Sequence, residues 1–303
     1  MGPASQSGDS PTERGHDCGM RIADEISALL AQAYAEGPPL RVRALHLPPV
    51  SPPGGKEGEF AALELESGQL GLCFLLLDQA LSSIGALTDA VRGIDAREMV
   101  AWWADGRAAA ASPARAALGY AAVNALTRRV FDRAGFAPAP ARDTIGGLDP
   151  RPGESVGMVG LFPPLVKQVL ARGARLTVLE LRPDLAGERE GYTVTLDPQA
   201  LRGCTQVLST STVLLNHSFD GVREVCRAAR RFVLVGPGAG CPPDPVFAQG
   251  VTAMAGSWIA DPQALIQAIT RGASWGHSVQ KSLLPRADYP GWAALLQRAA
   301  GTG

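Results

Sequence analysis

The sequence lacks the features that would direct it to a membrane or to nucleic acid. No apolar run approaches the roughly 18 to 20 residues that span a bilayer, and the N-terminal stretch MGPASQSGDSPTERGHD has no apolar core of a secretory signal. The 28 Lys and Arg nearly balance the 29 Asp and Glu, with a formal net charge of −1. We therefore expect a cytoplasmic protein with neither nucleic acid nor a membrane as partner.

Metal-binding residues are also scarce, with five cysteines and four histidines and no CxxC pair. An odd number of widely spaced cysteines is typical of reduced thiols. Soft metals require three or four converging ligands, which no sequence spacing here provides. Convergence at strand ends stays open, and Cys241, His217 and Asp244 are the candidate metal ligands. The alternative is that Cys241 fills a glycine-rich turn and His217 is a polar residue at a helix start.

The length of 303 residues and a hydrophobic content of 46% predict two globular domains. We expect a disordered lead over residues 1–18 and an α+β N-terminal domain over 19–136. A Pro- and Gly-rich linker follows over 137–152. A Rossmann-like domain is predicted over 153–280, and a C-terminal tail without an assigned role over 281–303.

The first domain combines helical periodicity with three strand patterns. Strands are predicted at LRVRALHL, FAALELES and LGLCFLLL, the last two joined by a short turn at Ser67-Gly68-Gln69. Helices are predicted over 21–35, 88–93, 95–104 and 112–133, with Asp95 and Ser112 as N-caps. These patterns indicate a three-stranded antiparallel sheet with helices.

The second domain opens with the buried-strand pattern VGMVGLF and alternates strands with helices. The later strands are LTVLE, QVLSTST, RFVLVGP and VTAMAGSWI, so an open, mostly parallel sheet is expected. Such sheets bind ligands at the carboxyl ends of their strands, where Glu180 is placed to hold ribose hydroxyls. Gly157 and Gly160 do not form GxGxxG, and Pro163-Pro164 removes N–H groups that would bind a pyrophosphate. The alternative reading is that these glycines permit close packing of helix and strand.

Several polar residues have both a binding and a structural interpretation. Ser211 and Thr212 lie with Asn216 at the end of a predicted strand, where they suit a polar ligand, a phosphate or a carboxylate, or else cap the next turn. Asn124 lies in a helix in the apolar context AAVNAL, facing an interdomain cleft or tying the helix to a neighbouring loop. Asp261 is predicted to be a helix N-cap, and the alternative is a contact with the cleft.

Taken as a set, several phrases resemble the two-domain DUF4213/DUF364 family, whose second domain carries a heavy-metal chelation label. They are GYAAVNAL, VGMVGLFPPL, VLELRP, LSTSTVLLN, VLVGPG and AGSWIAD, which span most of residues 20–270. The resemblance implies an enolase-N-terminal-like first domain, a Rossmann-like second domain and a ligand site in the cleft between them. Where relatives read GPSTPL, this chain reads GPGAGC from Gly236 to Cys241, so the two hydroxyl side chains are replaced by Gly238 and Ala239.

The leading hypothesis is a protein that binds a small polar ligand, or a metal carried by one, in the interdomain cleft. The predicted binding residues are Asn124, Gly157, Gly160, Phe162, Glu180, Ser211, Thr212, Asn216, Gly236, Pro237 and Asp261. The alternative is an enzyme with a nucleotide-type cofactor, NAD or S-adenosylmethionine-like, and a third possibility is a scaffold for metal delivery. The cofactor therefore stays open between a transition metal and a nucleotide, and a homodimer is the default assembly.

Overall fold

The computed structural model describes residues 21–49, 59–75, 83–141 and 145–301. The predicted lead over 1–18, with Cys18, lies outside these described residues.

In the described residues, the first unit contains a three-stranded antiparallel sheet in the order β1-β2-β3, as predicted, together with helices. Its elements are α1 (Ile22–Ala33), β1 (Val42–His46), β2 (Glu59–Leu65), β3 (Leu70–Leu75), α2 (Ala96–Ala104), α3 (Gly106–Ala111) and α4 (Pro113–Arg133). The side chains of Asp95 and Ser112 cap α2 and α4, which confirms both predicted N-caps. The helix predicted over 88–93 is wrong, because that segment forms successive turns.

Helix α4 packs on the sheet and on α2 through two glycines. A Cβ on Gly71 of β3 would lie 1.9 Å from the carbonyl oxygen of Ala121 in α4. A Cβ on Gly119 would lie 2.6 Å from the carbonyl oxygen of Met99 in α2. Both glycines therefore let backbones approach more closely than any side chain permits.

The second unit is a Rossmann-like open sheet of nine described strands in the order β4-β12-β11-β10-β9-β5-β6-β8-β7. Six neighbouring strands from β11 to β8 are parallel, and the flanking β12, β4 and β7 are antiparallel. The strands are β4 (Ala139–Pro140), β5 (Ser155–Val159), β6 (Arg175–Leu179), β7 (Gly187–Arg189), β8 (Tyr192–Thr195), β9 (Gln206–Thr210), β10 (Arg231–Val235), β11 (Ala253–Ile259) and β12 (Val279–Pro285). The chain order reverses between β5 and β9, the position where such sheets form a ligand crevice.

Within the described part of the second unit, six α-helices accompany this sheet. They are α5 (Pro163–Leu170), α6 (Thr212–Leu215), α7 (Phe219–Val225), α8 (Pro243–Ala248), α9 (Pro262–Thr270) and α10 (Trp292–Ala300). Short 3-10 turns lie at Pro183–Leu185, Pro198–Leu201, Gly276–Ser278 and Arg286–Asp288.

Three segments differ from the sequence-based expectations. The hairpin of β7 and β8 was not predicted, because its charged residues follow no buried-strand pattern. The expected linker contributes β4 to the sheet and buries Ile145 and Leu148 in its core. The expected tail supplies most of β12 and the whole of α10, whose Trp292 is buried.

The two units share their main hydrophobic core, which includes Leu118 of α4 and Leu234 of β10 in one cluster. Hydrogen bonds also cross the interface between the two units. The Trp103 indole N–H, for example, donates to the Leu214 carbonyl at 3.0 Å. The two units are therefore held in a defined relative position by burial and by hydrogen bonds. None of the helices in the described part of the chain is long and apolar enough to cross a membrane.

Candidate functional site

A cleft of about 70 Å³ lies at the interface of the two units. It is bounded by α4 and β3 of the first unit and by the carboxyl ends of β10 and β11 of the second. Its walls are mainly apolar, with a few polar groups between them. The residues lining it are Leu70, Leu72, Asn124, Arg128, Phe131, Pro138, Pro237, Ala239, Gly240, Gly256, Ser257, Trp258, Ile259 and Ser282. Apolar walls with a few convergent polar groups are typical of small-molecule sites.

Asn124 lies on the α4 side of this cleft and is only 5% exposed. Its amide nitrogen donates to the Leu72 carbonyl at 2.7 Å and to the Gly238 carbonyl at 3.4 Å. Its Oδ1 atom is buried, and no donor among the described residues reaches it. The nitrogen therefore makes the structural tie between the units, while the oxygen lacks a donor among the described residues.

Arg128 follows Asn124 by one helical turn and supplies the positive charge of the cleft. Its guanidinium lies 3.8 Å from the centre of the Trp258 ring. It donates to Asp132 at 2.6 Å and to the Ile259 carbonyl at 3.1 Å. These contacts hold the guanidinium in one orientation at the cleft wall.

The loop after β10 forms the opposite wall, where Pro237 lines the cleft. Gly236 has a φ of +137°, and a Cβ there would lie 2.7 Å from the Ser211 Oγ. Ser211 is therefore packed behind this loop and is not among the residues that line the cleft. A Cβ on Gly240 would lie 3.1 Å from Asn124 Oδ1, so the glycine keeps the space beside that oxygen open.

Other predicted residues form a second group at the ends of β5 and β6. Glu180 accepts hydrogen bonds from the backbone N–H groups of Leu161 at 2.7 Å and Leu181 at 2.9 Å. Gly160, with a φ of +84°, turns the chain beside Phe162, which precedes the two prolines that open α5. Glu180 thus closes the turn after β5 with both of its carboxylate oxygens.

Gly157 lies in β5. A Cβ on this residue would lie 3.2 Å from the Leu201 side chain and 3.3 Å from that of Cys204. Three further predicted residues make local hydrogen bonds. The Thr212 hydroxyl bonds that of Thr210 at 3.0 Å, and Asn216 accepts from the backbone and hydroxyl of Ser218. Asp261 caps α9 by accepting from the Ala264 N–H at 2.9 Å. None of these four lines the cleft.

The predicted metal ligands Cys241, His217 and Asp244 occupy different surroundings. Asp244 accepts from the Tyr289 hydroxyl at 2.5 Å and from the Trp292 N–H at 3.2 Å, so it anchors the start of α10. His217 has a φ of +59° and stacks on Trp103 with ring centres 5.6 Å apart. Burial, and then the charge of nearby Arg21, lowers the pKa of His217.

The thiols of Cys73, Cys226 and Cys241 are buried. Burial raises the pKa of Cys241 to about 12, despite a hydrogen bond with Tyr120, and raises that of Cys73 to about 12 and that of Cys226 to about 11. Among the residues that the structure describes, no three His, Cys, Asp or Glu side chains could hold a metal ion. The described residues therefore do not fit a bare heavy-metal ion.

Sequence reasoning missed Arg128, Trp258 and Gly240. Arg128 carried a usable signal, since it lies four residues after Asn124 and shares its helix face. Trp258 and Gly240 reach the cleft only through the relative placement of the two units, which no local pattern encodes.

Comparison with known proteins gives a match to one family. The sequence profile of the DUF364 family, described as "Putative heavy-metal chelation", matches residues 143–287. No curated protein matches the sequence at a significant level.

Two solved structures resemble the whole fold. A DUF364 protein of unknown function from Desulfitobacterium hafniense DCB-2 is 20% identical, with a TM-score of 0.62 over 88% of this chain and 98% of that chain. A second one, from Pyrococcus horikoshii, is 17% identical, with a TM-score of 0.60 over the same shares of both chains. At these identities the likeness concerns the fold, and the enolase-like character of the first unit stays a prediction.

Proposed function

We propose that this chain, whose residues 143–287 match the DUF364 family model, binds a small polar ligand in the cleft between its two units. The observation that carries the proposal is the buried Asn124 Oδ1, which no described donor satisfies. A buried acceptor without a partner is destabilising, so such atoms are retained where a ligand or water completes them. The cationic Arg128 beside it adds a preference for a neutral or anionic ligand.

The family description names heavy-metal chelation. The cleft is compatible with a metal only if an organic ligand carries it. No thiol, imidazole or carboxylate group of the described residues lines the cleft, so a metal would arrive within an organic complex whose own atoms coordinate it. The protein would then recognise the organic part through Asn124 and Arg128.

The nucleotide-cofactor enzyme has less support. Both oxygens of Glu180 already accept backbone N–H groups, and prolines occupy the first two positions of α5. That helix start cannot present the N–H groups that hold a pyrophosphate. The proposal keeps the cytoplasmic setting and the homodimer predicted from the sequence, and the unpaired thiols of Cys73, Cys204, Cys226 and Cys241 agree with a reducing compartment.

The test is native mass spectrometry with elemental analysis on protein purified from its own host without chelators. The wild-type chain should retain a small organic mass, with or without a metal. The Gly240→Ala variant should lose it, because the new methyl group occupies the space 3.1 Å from Asn124 Oδ1. The matched control is Gly203→Ala, which meets no atom within 4 Å. Equal retention in wild type and Gly240→Ala, or a stoichiometric metal with no organic mass, would contradict the proposal.

A further inference from the structure

The orientation of the Asn124 amide restricts the chemistry of the cleft ligand. The short bond from its nitrogen to the Leu72 carbonyl, 2.7 Å, identifies the nitrogen, since a carbonyl accepts only from a donor. The atom directed at the space beside Gly240 is therefore Oδ1, an acceptor. A ligand completes this group only with an O–H or N–H.

Arg128 sets a second requirement on the ligand, which concerns its charge. This residue lies one helical turn after Asn124 on the same face of α4. A guanidinium carries five N–H donors and no acceptor, and two of its nitrogens make the bonds to Asp132 and Ile259. The remaining N–H groups suit a carboxylate, whose charge they complement. Because Asn124 and Arg128 both line one cleft of about 70 Å³, one small ligand that carries both a donor and a carboxylate can reach the two residues.

The donor is better supplied by a hydroxyl than by an amine. An ammonium group at Asn124 would share a cleft of about 70 Å³ with the Arg128 guanidinium, and like charges repel at short range. The buried Leu72 and Phe131 walls and a volume of about 70 Å³ limit the enclosed part of the ligand to a few heavy atoms.

We propose that the cleft ligand is a small hydroxy carboxylate, bound by its hydroxyl to Asn124 Oδ1 and by its carboxylate to Arg128. This inference rests on the proposed function and specifies its ligand class. Neighbouring hydroxyl and carboxylate oxygens can also chelate metal ions, so one ligand class accounts for the polar cleft and for a metal carried in a complex.

Lactate and propionate test the inference, since they differ only in the hydroxyl group. Titration calorimetry of the full chain with each lactate enantiomer and with propionate should show one enantiomer binding at least about tenfold more tightly than propionate. That difference arises because propionate leaves Asn124 Oδ1 without a donor. Arg128→Gln should weaken lactate and propionate by the same factor, whereas Gly240→Ala should abolish binding of both.

Circular dichroism of each variant and the Gly203→Ala control separate loss of binding from loss of fold. Equal affinities for lactate and propionate, both lost in Gly240→Ala, would overturn the hydroxyl requirement and leave the cleft proposal standing. Failure of lactate to bind, with an organic mass still retained by wild type and lost in Gly240→Ala, would overturn the ligand class alone. Lactate binding that survives Gly240→Ala would place the site elsewhere and overturn both proposals.

Discussion

Among single residues, Glu154 makes a dense set of hydrogen bonds, and it does so at the amino ends of the parallel strands. Its carboxylate accepts from the Thr205 hydroxyl at 2.6 Å, the Gln206 amide at 2.9 Å and the Arg151 N–H at 3.0 Å, and it pairs with Arg230 at 2.5 Å. These bonds, that of Thr205 first, lower the pKa of Glu154 to about 2. The network joins the start of β5 to the starts of β9 and β10.

Replacing Glu154 with Gln should reduce the free energy of unfolding by about 1 to 3 kcal/mol at neutral pH, since charged hydrogen bonds are lost. The folded-state pKa lies below the ordinary value of 4.5. The stabilisation is therefore present above pH 4.5 and is lost as the pH falls towards about 2. Urea unfolding of wild type and variant between pH 7 and pH 2.5 should show the two stabilities converging. A difference that does not change with pH would contradict this assignment.

Residues whose role is local could be predicted from the sequence, and residues whose role is tertiary could not. Asp95, Ser112 and Asp261 were identified as helix caps because a cap requires only its own helix. Asp244 was assigned to a metal, whereas its partners Tyr289 and Trp292 lie more than 40 residues away in sequence.

At the scale of elements, α4 carries much of the cleft and depends on its contact with β3. Gly71→Ala would force a methyl group to within 1.9 Å of the Ala121 carbonyl oxygen. Helix and strand must then move apart, so we expect a loss of about 1 to 3 kcal/mol or more in stability. Gly221→Ala in α7, with no atom within 4 Å, is the control and should be neutral or slightly stabilising. Chemical denaturation of both variants measures the difference, and equal midpoints would show that the contact is looser than described.

Elements with a strong period were predicted well, and elements without one were missed. The buried parallel strands and α4 have continuous apolar or helical patterns, so their bounds were close to those observed. The hairpin of β7 and β8 has exposed, charged residues in β7, and β4 is two residues long. Such strands are defined by the neighbour they pair with, which a single sequence does not contain.

For the whole molecule, α10 joins the two units. Asp244 of the second unit holds its first residue, Trp292, and Arg133 of α4 donates to the Ala299 carbonyl near its end at 2.9 Å. Asp244→Ala leaves the Trp292 N–H and the Tyr289 hydroxyl without this acceptor. Amide hydrogen exchange in α10 should then accelerate roughly 10- to 100-fold, while exchange in β9 and β10 stays unchanged. Uniform acceleration across the molecule would indicate global destabilisation instead.

The position of α10 has a consequence for how the chain is made. Arg133 and its partner Ala299 are 166 residues apart, and the ribosome adds about 5 to 20 residues per second. The first unit therefore waits on the order of ten seconds or more, after α4 has been synthesised, for the helix that covers it. During that interval the core surface that packs against Trp292 and Leu295 stays uncovered, and a chain truncated before Trp292 would lack the helix that covers it.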